Sequence, residues 1–239
     1  MVFHQEGYNI RCEWGEDGML ALSQYSDVVI IVDVLSFSTG VNIAVENGAS
    51  VYPYRYMDNR ALDYAREIDA ILAYPDRHMS GFSISPQSLQ HLPENARLVL
   101  PSTDGATLAL LAGHTHALTG CLRNAQAVAN VAMELGETVA VIAAGERWPL
   151  TNALRPSLED WLGAGAIIHF LDGSKSVESR AAEAMFVRYR DNLLDALSQV
   201  ASGLHLIEQG FGNDVMLSAQ LNVSDVVPLF MDGAFASYG

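Results

Sequence analysis

The sequence has few basic residues. Lys and Arg total 13 against 28 Asp and Glu, which gives a formal net charge of −15 over 239 residues. A nucleic-acid-binding protein needs a basic stripe that displaces counterions from phosphates, and this sequence shows no such stripe. The same charge disfavours anionic membrane surfaces. We therefore expect no nucleic-acid or membrane partner, and an anionic substrate requires a metal ion or local Arg residues that reverse the field.

Cysteines and long apolar runs are also scarce. Cys12 and Cys121 are the only two cysteines, a number typical of reduced intracellular thiols rather than of a disulfide framework. No apolar run approaches the ~20 residues of a membrane helix. The first residues lack the cationic segment and apolar stretch that mark a signal peptide. These absences predict a soluble, cytoplasmic protein and leave open whether copies form a homo-oligomer.

The apolar residues follow the pattern of an α/β fold. Half of the residues are hydrophobic and 17% are charged, so a sizeable core can form. Short runs rich in β-branched residues predict strands at 28–34, 50–54, 70–74, 97–101, 115–120, 138–144 and 225–230. Helical spacing predicts helices at 39–48, 104–113, 122–136, 157–173, 176–203, 204–210 and 213–221. The alternation predicts a layered α/β fold with a largely parallel or mixed sheet.

No linker rich in Pro or Ser interrupts the chain, so we treat 1–239 as a single compact domain with no internal boundary. Residues 28–49 and 97–117 echo each other, since both run from an apolar strand through a hydroxyl-rich turn into an apolar helix. The echo has two explanations. One is a duplication into two similar, intertwined halves, and the other, which we favour, is two ordinary βα units.

The first segment with chemistry is "DVLSFST". Asp33 follows a strand, and Ser36, Ser38 and Thr39 lie where the next helix begins. Ligands of open α/β sheets bind beyond the carboxyl ends of strands, and a helix N-terminus favours an anion such as phosphate. Asp33 would repel phosphate unless a divalent cation bound both groups. The competing interpretation is that Asp33 caps the turn and the hydroxyls satisfy backbone groups.

The second segment repeats this pattern. Ser102, Thr103, Asp104 and Gly105 stand between a predicted strand and a helix. Gly105 would let the backbone approach a ligand closely. A tight turn with Asp104 as N-cap is the simpler interpretation.

The third segment leads from a strand into the helix at 157–173. Glu159 and Asp160 lie in the first turn of that helix, where acidic residues also suit the helix dipole. Since adjacent helical positions point about 100° apart, we expect at most one of them to face a site. Ser157 and Asp160 have nearly the spacing of a capping box. Arg155 is the better ligand candidate, because a guanidinium matches phosphate or sulfonate oxygens.

Two further patterns have structural explanations. His114 and His116 form an H-x-H pair, which alternation on a short strand explains better than zinc binding does. The small residues of "GAGAII" (163–168) indicate close helix packing rather than a ligand loop.

Six segments together resemble one family. They are "IVDVLSFSTGVNIAVENGA", "GFSISPQSL", "LVLPSTDGATLA", "GCLRNAQAVA", "AAGERW…LRPSLEDWLGAGAII" and "DVVPLF". In this order, from about Val28 to Phe230, they resemble the 2-phosphosulfolactate phosphatase family. The resemblance implies a Mg²⁺-dependent acid phosphatase with a three-layer α/β/α fold. The implied reaction converts 2-phosphosulfolactate and water to sulfolactate and phosphate, a step on a route to coenzyme M.

The resemblance also carries over to individual positions. Asp33 falls on the Asp of the family's "DVLRAST"-like segment, and Ser157 to Asp160 match its "SLED". Three positions depart from it: Ser36 stands where the family has Arg, Asp104 where it has Asn, and Gly163 where it has Cys. The first two departures make the site less positive, and Arg155 is expected to compensate.

These observations predict that Asp33 binds Mg²⁺, directly or through water, while Glu159 or Asp160 completes the metal site or serves as general base. A small phosphorylated acid is the expected partner. The residues expected to hold it are Ser36, Ser38, Thr39, Ser102, Thr103, Asp104 and Gly105 around the phosphate, and Arg147 and Arg155 at its second acidic group. Two alternatives stay open: a phosphatase for another small phosphorylated acid, and a non-catalytic α/β module that binds a small anion.

Overall fold

The computed structural model describes residues 2–113 and 115–239. His114, one member of the H-x-H pair, lies outside these residues. The strands are β1 (Ile10–Trp14), β2 (Val28–Val32), β3 (Ser50–Tyr54), β4 (Ile71–Leu72), β5 (Arg97–Pro101), β6 (His116–Thr119), β7 (Val139–Ala143), β8 (Glu146–Arg147), β9 (Leu154–Arg155), β10 (Pro228–Met231) and β11 (Ala234–Ser237).

The helices alternate with the strands along the first two thirds of the chain and then follow one another. They are α1 (Gly15–Leu22), α2 (Phe37–Glu46), α3 (Arg60–Glu67), α4 (Pro86–Leu89), α5 (Gly105–Leu111), α6 (Ala125–Leu135), α7 (Leu158–Phe170), α8 (Val177–Tyr189), α9 (Leu193–Gln199), α10 (Ala201–Glu208) and α11 (Gly212–Ser218).

Nine strands form one mixed sheet in the order β1-β7-β2-β6-β10-β11-β3-β5-β4. The strands β1, β7, β2 and β6 are mutually parallel, and so are β3, β5 and β4. The antiparallel hairpin β10–β11 joins the two groups. The pairs β6–β10, β10–β11 and β11–β3 are all antiparallel, so the strands of the first group run opposite to those of the second. The predicted α/β fold with a mixed, mostly parallel sheet is confirmed.

Helices cover both faces of the sheet. One core packs α6, α7 and α8 against the first strand group. A second core combines α1, α2 and α5 with side chains from both groups, and a third packs α3 against β4 and β5. Because α2 and α5 contact strands of both groups, the sheet wraps around them and brings the turn after β2 to the turn after β5.

Small residues set the position of α7, as the "GAGAII" pattern predicts. A Cβ added to Gly163 would lie 2.6 Å from Val34 Cγ2, so this glycine lets α7 lie close to the end of β2. A Cβ on Gly165 would overlap the carbonyl oxygen of Ala182 in α8. The two glycines therefore fix α7 between the sheet and α8.

The long helix predicted at 176–203 is wrong. The chain breaks into α8, a 3₁₀ turn and α9, and α10 begins beyond an extended residue, Val200. The breaks let Leu193, Leu197 and Leu206 reach the core that also holds Phe186. A straight helix of that length would run about 42 Å and could not fold back over one core.

The structure also bears on the cysteines and on the search for a membrane helix. Cys12 and Cys121 are both buried and unpaired. Over residues 2–113 and 115–239, no helix is long and apolar enough to cross a membrane.

Candidate active site

A cavity of about 210 Å³ lies where β2, β5 and β7 end and α2, α5 and α7 begin. Its carboxyl groups are those of Asp33, Asp104, Glu146, Glu159 and Asp160. Hydroxyl groups of Ser36, Ser102 and Thr103 also line it. Seven of the residues predicted from the sequence therefore share one cavity: Asp33, Ser36, Ser102, Thr103, Asp104, Glu159 and Asp160.

Asp33 connects the turn after β2 to the turn after β5. Its Oδ1 accepts a hydrogen bond from the Phe37 backbone N–H at 3.3 Å. Its Oδ2 accepts from the Gly105 N–H at 3.1 Å and from Ser102 Oγ at 3.4 Å. Burial, with a further contribution from the nearby Asp104 charge, raises the pKa of Asp33 to about 7. This carboxyl group can thus change its protonation near neutral pH.

Gly105 allows this close approach. A Cβ at position 105 would lie 2.7 Å from Asp33 Oδ2 and would overlap the Phe37 ring. The sequence predicts that Gly105 lets backbone approach a ligand, and in the structure the backbone approaches the carboxylate of Asp33.

Asp160 ties α7 to two strand ends. Its Oδ1 accepts from the Val34 N–H at 2.7 Å, and its Oδ2 accepts from the Gly145 N–H at 2.9 Å. The capping box expected between Ser157 and Asp160 is therefore wrong, although Ser157 is the N-cap residue. The Asp160 carboxylate bonds to neighbouring segments instead of to its own helix.

Glu159 and Asp160 both line the cavity, whereas the helical spacing suggested that at most one would. The reason is that the cavity lies beyond the N-terminal end of α7, where successive first-turn side chains can reach the same space. Burial raises the pKa of both groups, and the charges of Asp33 and Glu159 raise that of Asp160 further. Three carboxyl groups therefore lie in one buried cavity, where a negative charge on one makes ionisation of the others less favourable.

The hydroxyls of Ser38 and Thr39 bond within the fold and do not line the cavity. Ser38 Oγ accepts from the Asp33 N–H at 2.9 Å and lies 2.8 Å from Thr119 Oγ1. Thr39 Oγ1 donates to the Val34 carbonyl at 2.8 Å. Both side chains hold the turn after β2 in shape, as the competing interpretation proposed for hydroxyls here.

Arg147 and Arg155 lie outside the cavity lining and are paired with acidic residues. Arg147 Nε lies 2.9 Å from Asp104 Oδ1, and its Nη2 lies 2.5 Å from Glu16 Oε1. Arg155 Nη1 lies 2.8 Å from Glu146 Oε2. The two pairs offset two of the carboxylates of the cavity.

Arg77 is the residue that sequence reasoning missed. Among the residues that the structure describes, it is the one basic side chain lining the cavity. It belongs to the loop between β4 and α4, and its guanidinium pairs with Asp214 of α11. The pairing joins residues 137 positions apart, so no local pattern around Arg77 could indicate it.

The donor groups fit a partly hydrated Mg²⁺ rather than a closed cage of side chains. In the described part of the chain, no group of three or more His, Cys, Asp or Glu side chains is arranged to hold an ion. Mg²⁺ is commonly bound by one or two carboxylates together with waters and substrate phosphate. Each Asp160 oxygen accepts one hydrogen bond here and keeps a second acceptor position. Asp33 and Asp160 are therefore suitable first ligands.

Comparison with known proteins decides the family. The family described as 2-phosphosulpholactate phosphatase matches residues 18–233. The 2-phosphosulfolactate phosphatase of Methanothermobacter thermautotrophicus is 31% identical over 211 residues, covering 87% of this chain and 88% of the relative. The chain belongs to the 2-phosphosulfolactate phosphatase family. A relative from Thermus thermophilus, named probable 2-phosphosulfolactate phosphatase, is 33% identical over 218 residues, covering 86% of this chain and 88% of its own.

Membership of the 2-phosphosulfolactate phosphatase family confirms the resemblance drawn from the six sequence segments. The matched range contains every residue that lines the cavity.

Proposed function

We propose that this member of the family is a Mg²⁺-dependent phosphomonoester hydrolase that converts 2-phosphosulfolactate and water to sulfolactate and phosphate. One observation carries the proposal: Asp33, Glu159 and Asp160 line the same cavity. The burial of these three side chains raises the pKa of each carboxyl group. Buried carboxyl groups of this kind are typical of catalytic and metal sites. The names of the relatives support the choice of substrate.

Asp33 would hold the metal ion, and Asp160 or Glu159 would complete the site. A bound Mg²⁺ would offset the carboxylate charges and polarise the phosphoryl oxygens. Both aspartates are fixed by backbone N–H donors of two other segments, so their carboxylates need little rearrangement on binding.

The remaining polar groups orient the phosphate and move the proton. Ser36, Ser102 and Thr103 present hydroxyls to the cavity, and the N-terminus of α2 begins beside them. Whichever of Glu159 and Asp160 does not bind the ion would take the proton from the attacking water. As the water oxygen bonds to phosphorus, the ester P–O bond breaks, and the leaving oxygen takes a proton to become the hydroxyl of sulfolactate.

A second candidate is a phosphatase for another small phosphorylated acid. Ser36 and Asp104 stand where the family resemblance leads us to expect Arg and Asn, and both changes reduce the positive charge of the cavity. Such a cavity suits a substrate with fewer acidic groups than the three of 2-phosphosulfolactate.

The cellular setting follows from the same proposal. Two buried, unpaired thiols and an acidic composition support a reducing compartment such as the cytoplasm, and the family reaction would place the protein on a route to coenzyme M.

Phosphate release from a panel of small phosphomonoesters, measured with Mg²⁺ and with a chelator, tests the proposal. We expect turnover of 2-phosphosulfolactate with Mg²⁺ and none with the chelator. Turnover of another phosphorylated acid alone would favour the second candidate. No turnover of any compound, together with saturable binding of inorganic phosphate, would instead support a non-catalytic binding module.

A further inference from the structure

Arg77 is held in place by a buried acidic residue. Its Nη1 lies 2.6 Å from Asp214 Oδ2, and its Nη2 donates to Ser36 Oγ at 2.6 Å. The Arg77 side chain is 13% exposed and that of Asp214 is fully buried. A buried ion pair of this kind fixes the guanidinium in one orientation, because releasing it would leave an unpaired buried charge.

Asp214 is fixed in turn by the start of α4. Its Oδ1 accepts a hydrogen bond from Ser85 Oγ at 2.6 Å and another from the Gln87 backbone N–H at 3.1 Å. One carboxylate oxygen therefore bonds α11 to α4, and the other holds Arg77. The Asp214 carboxylate, which Ser85 and Gln87 fix in place, therefore holds the Arg77 guanidinium at the cavity.

The hydrogen bonds of Arg77 leave two of its donors unused, and Arg77 lines the cavity. Its Nη1 donates to Asp214 and to the Ile84 carbonyl at 3.4 Å, and its Nη2 donates to Ser36. A guanidinium has five N–H donors. Within the described residues, the Nε donor and one Nη2 donor of Arg77 are not used by these bonds.

The other arginines near the cavity do not present unused donors on its lining. Arg147 and Arg155 are paired with Asp104 and Glu146, as Arg77 is with Asp214, but unlike Arg77 they do not line the cavity. Among the residues that the structure describes, Arg77 is the fixed cation that an anionic organic group entering the cavity would meet, beside Ser36. Asp33 and Asp160 offer only negative charge or backbone-bonded oxygens to such a group.

We propose that Arg77 binds the acidic group of the substrate that is not transferred, a carboxylate or a sulfonate, and that Asp214 is its positioning residue. This inference rests on the proposed function, since it assigns the second anionic group of the same substrate. Arg77 is then a determinant of specificity rather than of the phosphoryl-transfer step.

Three substrates separate this role from the alternatives. They are 2-phosphosulfolactate, 2-phospholactate and ethyl phosphate, of which the last carries no second acidic group. In Arg77→Gln, at saturating Mg²⁺, KM for the first two should rise about ten- to hundredfold, the range for one or two lost charge-assisted hydrogen bonds. Their kcat should change by less than about threefold, and kcat/KM for ethyl phosphate by less than about twofold.

Arg123→Gln is the matched control. Arg123 is also a buried arginine held by polar side chains, with its Nε 3.0 Å from Asn42 Oδ1, but it does not line the cavity. We expect this variant to lower the melting temperature and to leave all three KM values within about twofold. The comparison separates loss of an anion contact from loss of a buried arginine in general.

Asp214→Asn tests the positioning role. It should raise KM for the two acidic substrates by about threefold or more, and it should add nothing when combined with Arg77→Gln, since it acts through Arg77. If Asp214→Asn does not fold, Ser85→Ala removes one hydrogen bond from the same carboxylate and should show the same selectivity in weaker form. A double variant markedly worse than Arg77→Gln would contradict the positioning role.

Two results would overturn the inference itself. An equal loss of kcat/KM for all three substrates in Arg77→Gln would place Arg77 on the transferred phosphoryl group. Unchanged KM values would remove Arg77 from substrate binding. If the unmodified protein hydrolyses none of the three, the proposed function fails by itself, and calorimetric binding of sulfolactate then decides. Binding that weakens tenfold or more in Arg77→Gln supports the inference, and undetectable or unchanged binding contradicts it.

Discussion

At the scale of single residues, three carboxyl groups distinguish this cavity. Asp33, Glu159 and Asp160 are buried next to one another, and burial favours the protonated form of each. The pKa of Asp33, about 7, lies close to neutral pH, so small changes in pH change the charge of this carboxyl group. A cation between these groups would reverse that preference by stabilising the charged forms.

Asp33→Asn should lower kcat at least ~100-fold, because loss of a direct metal ligand exceeds the 10–100-fold typical of outer-shell changes. Phosphate release at saturating Mg²⁺ measures the effect. Asp69→Asn is a suitable control, since Asp69 is exposed and its positive φ of 52° suits Asn. Near-normal turnover in Asp33→Asn, with the control unaffected, would remove Asp33 from the metal site.

The raised pKa of Asp33 also predicts a pH dependence of stability. The folded protein holds the Asp33 proton more tightly than the unfolded chain does, so this group stabilises the fold at low pH. Its contribution falls as pH rises from about 4 to about 7. In chelator, unfolding free energy should therefore decline faster with pH in the unmodified protein than in Asp33→Asn, by at most about 1.4 kcal/mol per pH unit.

Added Mg²⁺ should reverse this difference, because the ion binds the deprotonated carboxylate. The concentration of Mg²⁺ needed for half-maximal activity should consequently fall between pH 6 and pH 8. Denaturant unfolding and activity titrations at several pH values measure the two effects. A slope that is identical in both proteins would show that Asp33 does not titrate in this range.

At the scale of elements, three helix starts meet in one cavity. The turn before α5 touches Asp33 through the Gly105 N–H, and the first turn of α7 touches the ends of β2 and β7 through Asp160. The site therefore depends on how closely α5 and α7 approach β2. Glycines at 105 and 163 permit that approach.

Gly105→Ala should disrupt this contact, since the added Cβ would overlap the Phe37 ring and crowd Asp33 Oδ2. We expect kcat to fall at least ~10-fold and stability to drop by about 1–3 kcal/mol, as overpacked sites commonly do. Gly212→Ala is the control, because the nearest side-chain atom to its new Cβ is Ile207 Cγ1 at 3.8 Å. Full activity in Gly105→Ala would show that the contact between the two turns is dispensable.

Much of the fold could be predicted because its local patterns are strong. The runs at 50–54 and 97–101 coincide with β3 and β5, and the strand at 28–34 ends two residues early, at Val32. The sequence does not predict β1, β11 or the two-residue strands β8 and β9. Strand β1 carries Arg11 and Glu13, which interrupt its apolar pattern, and β11 has only four residues, three of which are Ala or Ser.

The candidate site was predictable only in part. The hydroxyl-rich turns after β2 and β5 were expected to meet because parallel strands share an edge, but these strands run in opposite directions and meet because the sheet wraps around α2 and α5. Side-chain direction was harder to predict. Ser38 and Thr39 point into the fold, while Arg77 reaches the cavity through a partner distant in sequence.

For the whole molecule, the balance of charge limits the choice of substrate. A net charge of −15 makes any fixed cation near the cavity important. Arg147 and Arg155 already offset Asp104 and Glu146, so they add little net positive charge. We therefore expect the acidic molecule to repel a ligand with three acidic groups, unless a bound Mg²⁺ and the unused guanidinium donors of Arg77, which is itself paired with Asp214, hold that ligand in the cavity.

We predict that 2-phosphosulfolactate is hydrolysed with no large preference over 2-phospholactate, which carries one acidic group fewer. The double change Ser36→Arg with Asp104→Asn should shift the kcat/KM ratio toward the sulfonated compound by about tenfold or more, since one charge-assisted hydrogen bond is worth roughly 1.5–3 kcal/mol. A preference of several orders of magnitude in the unmodified protein would show that existing cations already read the sulfonate.

The position of the metal ion decides the proposed roles of Asp33, Glu159 and Asp160 most directly. Anomalous diffraction from crystals grown with Mn²⁺ in place of Mg²⁺ measures that position directly. We predict one peak in the cavity, about 2.0–2.2 Å from a carboxylate oxygen of Asp33 and from one of Asp160 or Glu159, and loss of this peak in Asp33→Asn. A peak elsewhere, or a cavity that stays empty while Mn²⁺ supports turnover, would contradict the proposed site.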